Sequence, residues 1–238
     1  MPSKYNKRAT KANYSRSNEF AYDTKAKAIE DKDFDWYDFP FTILMSIFLV
    51  VIHFLFWILA PTDILFSIPN QFVALFAQNN EFMLQYGIST WYRFVTSMFI
   101  HANVIHLGGN LLFFLMFSLR LEELKGWKVT ATIFLFSGLF GNLLTFFLLW
   151  NVNITSLGAS GAVMGVFIAN LISLRKTYDK GSVTMLAFLV IFGSLFIGGS
   201  AQTNFIAHFG GLIGGAIMML SIEYYERHIK KLNPGRHG

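Results

Sequence analysis

The 238-residue sequence has no cysteine, few charges and almost no acid outside its hydrophilic ends and loops. Lack of cysteine excludes disulfide staples, thiolate metal sites and a cysteine nucleophile. Charged residues make up 14% of the chain, against roughly 25% in soluble globular domains. They are bunched, so that residues 39–62, 94–119, 129–174 and 181–222 carry none. This charge scarcity excludes a soluble enzyme, a disordered chain and a nucleic-acid-binding domain, in spite of a pI near 9.4. What is abundant is apolar: 54% hydrophobic residues, 27 of them phenylalanine, and a mean hydropathy of +0.47. The chain is read as a polytopic membrane protein. Residues 1–38 are hydrophilic and lead to no small-residue cleavage site, so no cleavable signal peptide is read.

A spanning helix needs about 20 apolar residues, so each of the two longest uncharged tracts must fold back once. The polar stretches Asn151–Ser156 and Gly198–Asn204 supply the turns. Six helices are predicted, at about 40–60, 105–123, 129–150, 158–175, 183–198 and 204–225. Of the 19 basic residues, 18 fall in the tails and in the loops after helices 2 and 4, and only Arg93 falls on the opposite side. The excess of positive charge marks the cytoplasmic side, which places both termini there. Three parts are therefore expected: a disordered cytoplasmic tail (1–38), a six-helix domain (39–226) and a short basic cytoplasmic tail (227–238). The first tail is read as solvated, with a hold on anionic lipid as its functional alternative. The long outer loop from Pro61 to about Val104 is expected to form short helices in the membrane interface.

Helices 2, 4 and 6 all enter from the outer side, and each has polar residues near its start. Helix 2 carries His106 and Asn110 on one face. Helix 4 opens with Gly158-Ala159-Ser160-Gly161, and helix 6 has His208 four residues after Asn204. At about 1.5 Å per residue these groups share one depth, within roughly 10 Å of the outer boundary. A lone intramembrane histidine, such as His53, is ordinarily a packing hydrogen bond. Two histidines, an asparagine and a serine converging at one level point to chemistry. Serine needs a base, and neutral histidine is the usual one. The only acids facing outward are Asp63 and Glu81, both in the loop, so a Ser160–His208 dyad is proposed rather than a triad. His106, Asn110 and the Ser160 amide would then donate to a developing oxyanion. No His-Glu-x-x-His zinc motif is present. Gly161 and Gly165 on helix 4, with Gly211 and Gly215 on helix 6, form faces that permit close backbone approach.

These residues resemble the rhomboid intramembrane serine proteases across the six spans. The resemblance rests on His101-x4-His106-x3-Asn110, Gly158-Ala159-Ser160-Gly161 and Ala207-His208-x2-Gly211-x3-Gly215. Trp91-Tyr92-Arg93 resembles the family's Trp-Arg element, and Glu122-x3-Gly126 its turn after helix 2. It implies an all-α six-helix bundle with Ser160 as nucleophile, His208 as base and His106, Asn110 and the Ser160 amide as oxyanion hole. It also implies structural roles for Arg93, His101 and Glu122. One departure is Met164, where family members often carry an aromatic against the catalytic histidine. A thioether can make that contact too. The implied reaction is cleavage of single-span membrane proteins in the outer part of their spans, with no metal or cofactor. Thr155, Ser156, Gln202, Thr203 and Asn204 are expected to line a water-filled depression above the dyad. The competing readings are a non-catalytic rhomboid-like module that binds transmembrane helices, or a small transporter. The cysteine-free, short-tailed chain suggests a bacterial cell membrane.

Overall fold

The computed structural model describes residues 35–62, 66–175, 181, 184 and 204–232, with side chains as far as 228. From Asp38 onward these residues belong to one compact, all-α unit. Four helices among the described residues are long and apolar enough to cross a membrane. They are α1 (Pro40–Leu59), α5 (Val104–Lys125), α6 (Trp127–Leu148) and α8 (Phe205–Leu232). Between α6 and α8 lies the shorter apolar helix α7 (Ser160–Leu174). Apart from Thr184, the helix expected at 183–198 lies outside the described residues.

The helix ends follow local chemistry. Pro40 opens α1, where its missing N–H is no loss. The side chain of Asn103 caps α5 by accepting from the His106 N–H at 2.9 Å. Gly126, at φ 83°, ends α5, and α6 starts at the next residue. That one-residue turn shifts the third span to Trp127–Leu148, ahead of the predicted 129–150. The fourth begins at Ser160 instead of 158, because Gly158 sits at φ 113°, outside helical space. The sixth continues to Leu232, beyond the predicted 225. Its extension is held by Arg175 and Arg227 on Glu223, and by Lys125 on Glu226 at 3.0 Å.

The outer loop does form short helices: α2 (Asn70–Phe76), α3 (Asn80–Tyr86) and α4 (Arg93–Thr96). A contact that the sequence reading did not foresee ties this loop to the turn before α7. The two-residue strands β1 (Gln78–Asn79) and β2 (Thr155–Ser156) pair antiparallel, Gln78 opposite Ser156. Strands this short leave no periodicity to read.

Packing sorts the spans by composition. The outward face of α1 exposes Leu44, Ile47, Val51, Leu55 and Ile58, an apolar surface suited to lipid. The core lies between α5, α6 and α7, where Phe114 meets Phe134 edge-on at 5.1 Å and Phe117 meets Phe167 at 4.9 Å. α8 packs most extensively on α6 and α7, along the glycine stripes. A side chain at Gly211 would run into the Gly161 backbone, and one at Gly215 into that of Gly165. From α6, Gly141 abuts the Ala207 carbonyl and Gly210 abuts Gly141. These backbones touch because nothing larger stands between them.

Candidate active site

α7 has 15 residues and is about 22 Å long, against about 30 Å of hydrocarbon. With its Arg175 end at one boundary, the other end would fall short of the opposite one. Ser160 is the first residue of that end, which would then be sunken. Its backbone N–H belongs to the first turn, where helix amides have no intrahelical acceptor and point towards incoming negative charge.

His208 stands in the first turns of α8, whose start is fixed by Asn204. The Asn204 Oδ1 accepts from the Ala207 N–H at 3.0 Å, and its Nδ2 donates to Thr145 Oγ1 and Ser156 Oγ, each at 3.0 Å. With the two helices pressed together at Gly161 and Gly211, His208 Nε2 lies 2.8 Å from Ser160 Oγ. Among the described residues, no protein group accepts from the other ring nitrogen, Nδ1. The pair therefore has the geometry of a hydroxyl with its base, and among the described residues no third side chain holds the ring from behind.

The turn before Ser160 is shaped by two more histidines. Gly158 lies so close to the His106 ring that a side chain there would overlap it. His106 Nδ1 accepts from the Ala102 N–H at 3.4 Å, which leaves the ring proton on Nε2, the edge turned to the Gly158 turn. One residue on, the Ala159 N–H donates to His101 Nε2 at 3.3 Å. Burial, reinforced by the neighbouring His106, holds the His101 imidazole well below its ordinary pKa. Accepting from the Ala159 N–H, its Nε2 carries no proton. Its ring meets that of His106 at 5.2 Å, edge to face. Asn110 lies one turn along α5 and uses one amide hydrogen on the His106 carbonyl at 2.9 Å. The second amide hydrogen is left to donate elsewhere.

Arg93 and Glu122 engage other parts of the fold. Arg93 is buried, donates to the carbonyls of Ala77 and Ala74 at 2.9 and 2.5 Å and covers the Phe82 ring. It thereby closes the C-terminal end of α2 and holds the outer loop together. The buried Glu122 carboxylate accepts from the backbone N–H groups of Phe41 and Thr42 and from the Thr42 hydroxyl, at 2.6–3.0 Å. It caps the start of α1 with negative charge. Met164 is buried in the core.

Of the five residues expected to line a polar depression, three are described. Ser156 and Asn204 are buried and bonded to each other, and Thr155 accepts from Asn79. Gln202 and Thr203 lie outside the described residues. Thr155, Ser156 and Asn204 join the loop, the turn before α7 and the start of α8. Asn80 and Asn142 act alike: Asn142 Nδ2 donates to the Phe94 carbonyl and Ser97 Oγ, and Asn80 Nδ2 to the Thr145 and Leu149 carbonyls. Sequence reading passed over Asn142, although an amide inside an uncharged span is the same signal that exposed Asn110.

Comparison with known proteins identifies the family. Residues 89–224 match the model of the Rhomboid domain. The chain is 32% identical over 153 residues to Rhomboid-like protein 11, chloroplastic, of Arabidopsis thaliana, covering 57% of this chain and 54% of that one. It is 27% identical over 186 residues to the putative rhomboid protease YdcA of Bacillus subtilis (strain 168), covering 74% of this chain and 91% of that one. It is 31% identical over 138 residues to Inactive rhomboid protein 1 of Drosophila melanogaster, covering 55% of this chain and 9% of that one. The chain spans about half the length, or less, of several plant relatives it matches. The domain match takes in more than half of the chain, and the chain belongs to the rhomboid family.

Proposed function

From that membership we propose that the chain is an intramembrane serine endopeptidase, cleaving single-span membrane proteins in the outer part of their spans. The observation that carries the reading is the 2.8 Å approach of His208 Nε2 to Ser160 Oγ at the sunken end of α7. In the proposed reaction His208 takes the hydroxyl proton as Oγ attacks the scissile carbonyl carbon. The carbonyl oxygen gains charge and accepts from the Ser160 N–H, His106 Nε2–H and Asn110 Nδ2–H. His208 then passes its proton to the leaving amine, and water releases the acyl group by the same route in reverse. A helical substrate hides its carbonyls, so the segment bound here must first unwind.

The charge asymmetry supports a topology with both tails and the Arg175–Glu223 end in the cytoplasm. It also supports the division into tail, six-helix domain and basic tail. A bacterial cell membrane is the proposed setting, in keeping with the 91% coverage of the Bacillus relative. The second reading, a non-catalytic module that binds transmembrane helices, is favoured by the likeness to a relative named inactive. The Ser160–His208 contact argues for the enzyme. Purified protein in detergent should cleave a model single-span substrate and label with a fluorophosphonate, whereas Ser160→Ala should do neither. A folded wild-type protein that binds the substrate without cutting or labelling would establish the module instead.

A further inference from the structure

Helix α1 contains one imidazole, His53, which is fully buried. Leucine or phenylalanine would fill such a place without leaving a polar atom unpaired, yet His53 Nδ1 has no partner among the described residues. The ring must be there for its other nitrogen. Nε2 lies 2.9 Å from the Phe66 carbonyl and, facing an acceptor, carries the ring proton. Phe66 is the one non-glycine residue at positive φ, 48°, among the described residues. A bulky side chain holds that conformation only under outside constraint. Its ring is packed against Trp57 at 4.8 Å and Phe54 at 5.9 Å, while His53 secures its carbonyl.

The constrained turn leads straight to the proposed oxyanion site. Two residues after Phe66, the Ile68 N–H donates to the Ala102 carbonyl at 3.0 Å. The N–H of Ala102 in turn donates to His106 Nδ1 at 3.4 Å. One residue, Ala102, thus takes support from the loop through its carbonyl and supports His106 through its amide. We propose that His53 is a positioning residue for His106: by holding the Phe66 turn it fixes Ala102, and Ala102 keeps the His106 ring proton on Nε2. If the Ala102 amide withdrew, the proton could move to Nδ1 and Nε2 would cease to be a donor. The inference rests on the reading of His106 as an oxyanion donor, but its structural half is independent of any activity.

The test uses the full chain in detergent with His53→Leu, the more adaptable His53→Met, and His53→Gln, whose side-chain amide can still donate to Phe66. Both apolar variants should lose turnover by about 10-fold, part of the loss expected for a missing oxyanion donor, with KM unchanged. His53→Gln should recover most of it. In parallel, nitrogen-15 spectra of histidine-labelled protein, with His106 assigned by His106→Ala, should show an Nε2–H ring in the wild type. In the apolar variants that signal should shift toward a mixture of tautomers. A folded apolar variant with wild-type turnover and an unshifted His106 signal would overturn the proposal. So would failure of both apolar variants to fold while His53→Gln folds, which would make His53 a matter of stability alone. If the wild type cuts nothing, the protease reading fails and the His106 signal still decides the positioning role.

Discussion

A serine hydroxyl 2.8 Å from an imidazole nitrogen is useful only if removing either partner abolishes turnover while the helices stay folded. Ser160→Ala and His208→Ala should each cost on the order of 10⁴-fold, by analogy with serine hydrolases, with the thermal midpoint in detergent little changed. Normal cleavage by either folded variant would remove that residue from the mechanism. Asn110 poses a finer question, since one of its amide hydrogens bonds its own helix at the His106 carbonyl. As an oxyanion donor it should cost roughly 10²–10³-fold in turnover when changed to alanine, with the midpoint unmoved and slow fluorophosphonate labelling retained. As a packing contact alone it would lower activity only as far as stability. Ser160, His208, His106 and Asn110 were legible in the sequence because polar groups stand out in tracts that carry no charge. Ala102 was not, since its work is done by backbone groups that every residue possesses.

Elements meet here by what their glycines leave out. A methyl at Gly211 would press on the backbone of Gly161, and neither side can yield without moving a helix. Gly211→Ala should therefore destabilise by about 1–3 kcal/mol, as overpacking does, and it should also part Ser160 from His208. Activity loss larger than the shift in midpoint would report that separation. Gly108 on α5 is the contrasting case: it is exposed, and a methyl there would meet nothing within 4 Å. Gly108→Ala should stabilise by about 0.5–1 kcal/mol, the helix penalty of glycine. A fall in midpoint would show that α5 needs its flexibility there. The meeting of the α7 and α8 stripes was readable as small residues four apart. The part of α6 was not, because Gly138 and Gly141 are three apart and pack against different neighbours, Met98 and Ala162 for one and Ala207 for the other. Helix limits slipped where a positive φ decided them, at Gly126 and Gly158.

On the scale of the whole molecule, the depth of the site is set by one short helix between two charged limits. At the basic end, Arg175 closes α7 and reaches Glu223 on α8, while Lys125 from α5 reaches Glu226 one turn further. Three helices thus share one ionic level, which marks the membrane boundary on the proposed cytoplasmic side. On the proposed topology α7 rises about 22 Å from that level through a hydrocarbon layer of about 30 Å, which would put Ser160 roughly 8 Å below the outer boundary. His208 meets Ser160 directly and His106 lies against the Gly158 turn beside it, so both rings share the level of Ser160. A substrate helix rises about 1.5 Å per residue, so 8 Å corresponds to roughly five residues inside its outer boundary. Cleavage of a single-span substrate should fall within that margin, and mass spectrometry of both fragments would locate the bond. Moving the substrate's outer boundary charge by three residues should move the cut with it, because depth rather than sequence then selects the bond. A cut that stays on the same residues would make local sequence the selector. A cut near the cytoplasmic boundary would contradict the proposed orientation. Orientation has its own check in a chain without cysteine: an impermeant external reagent should label a single cysteine at Asn153 and spare one at Ser3. The reverse pattern, together with a cut at the cytoplasmic end, would place the same dyad in the opposite leaflet.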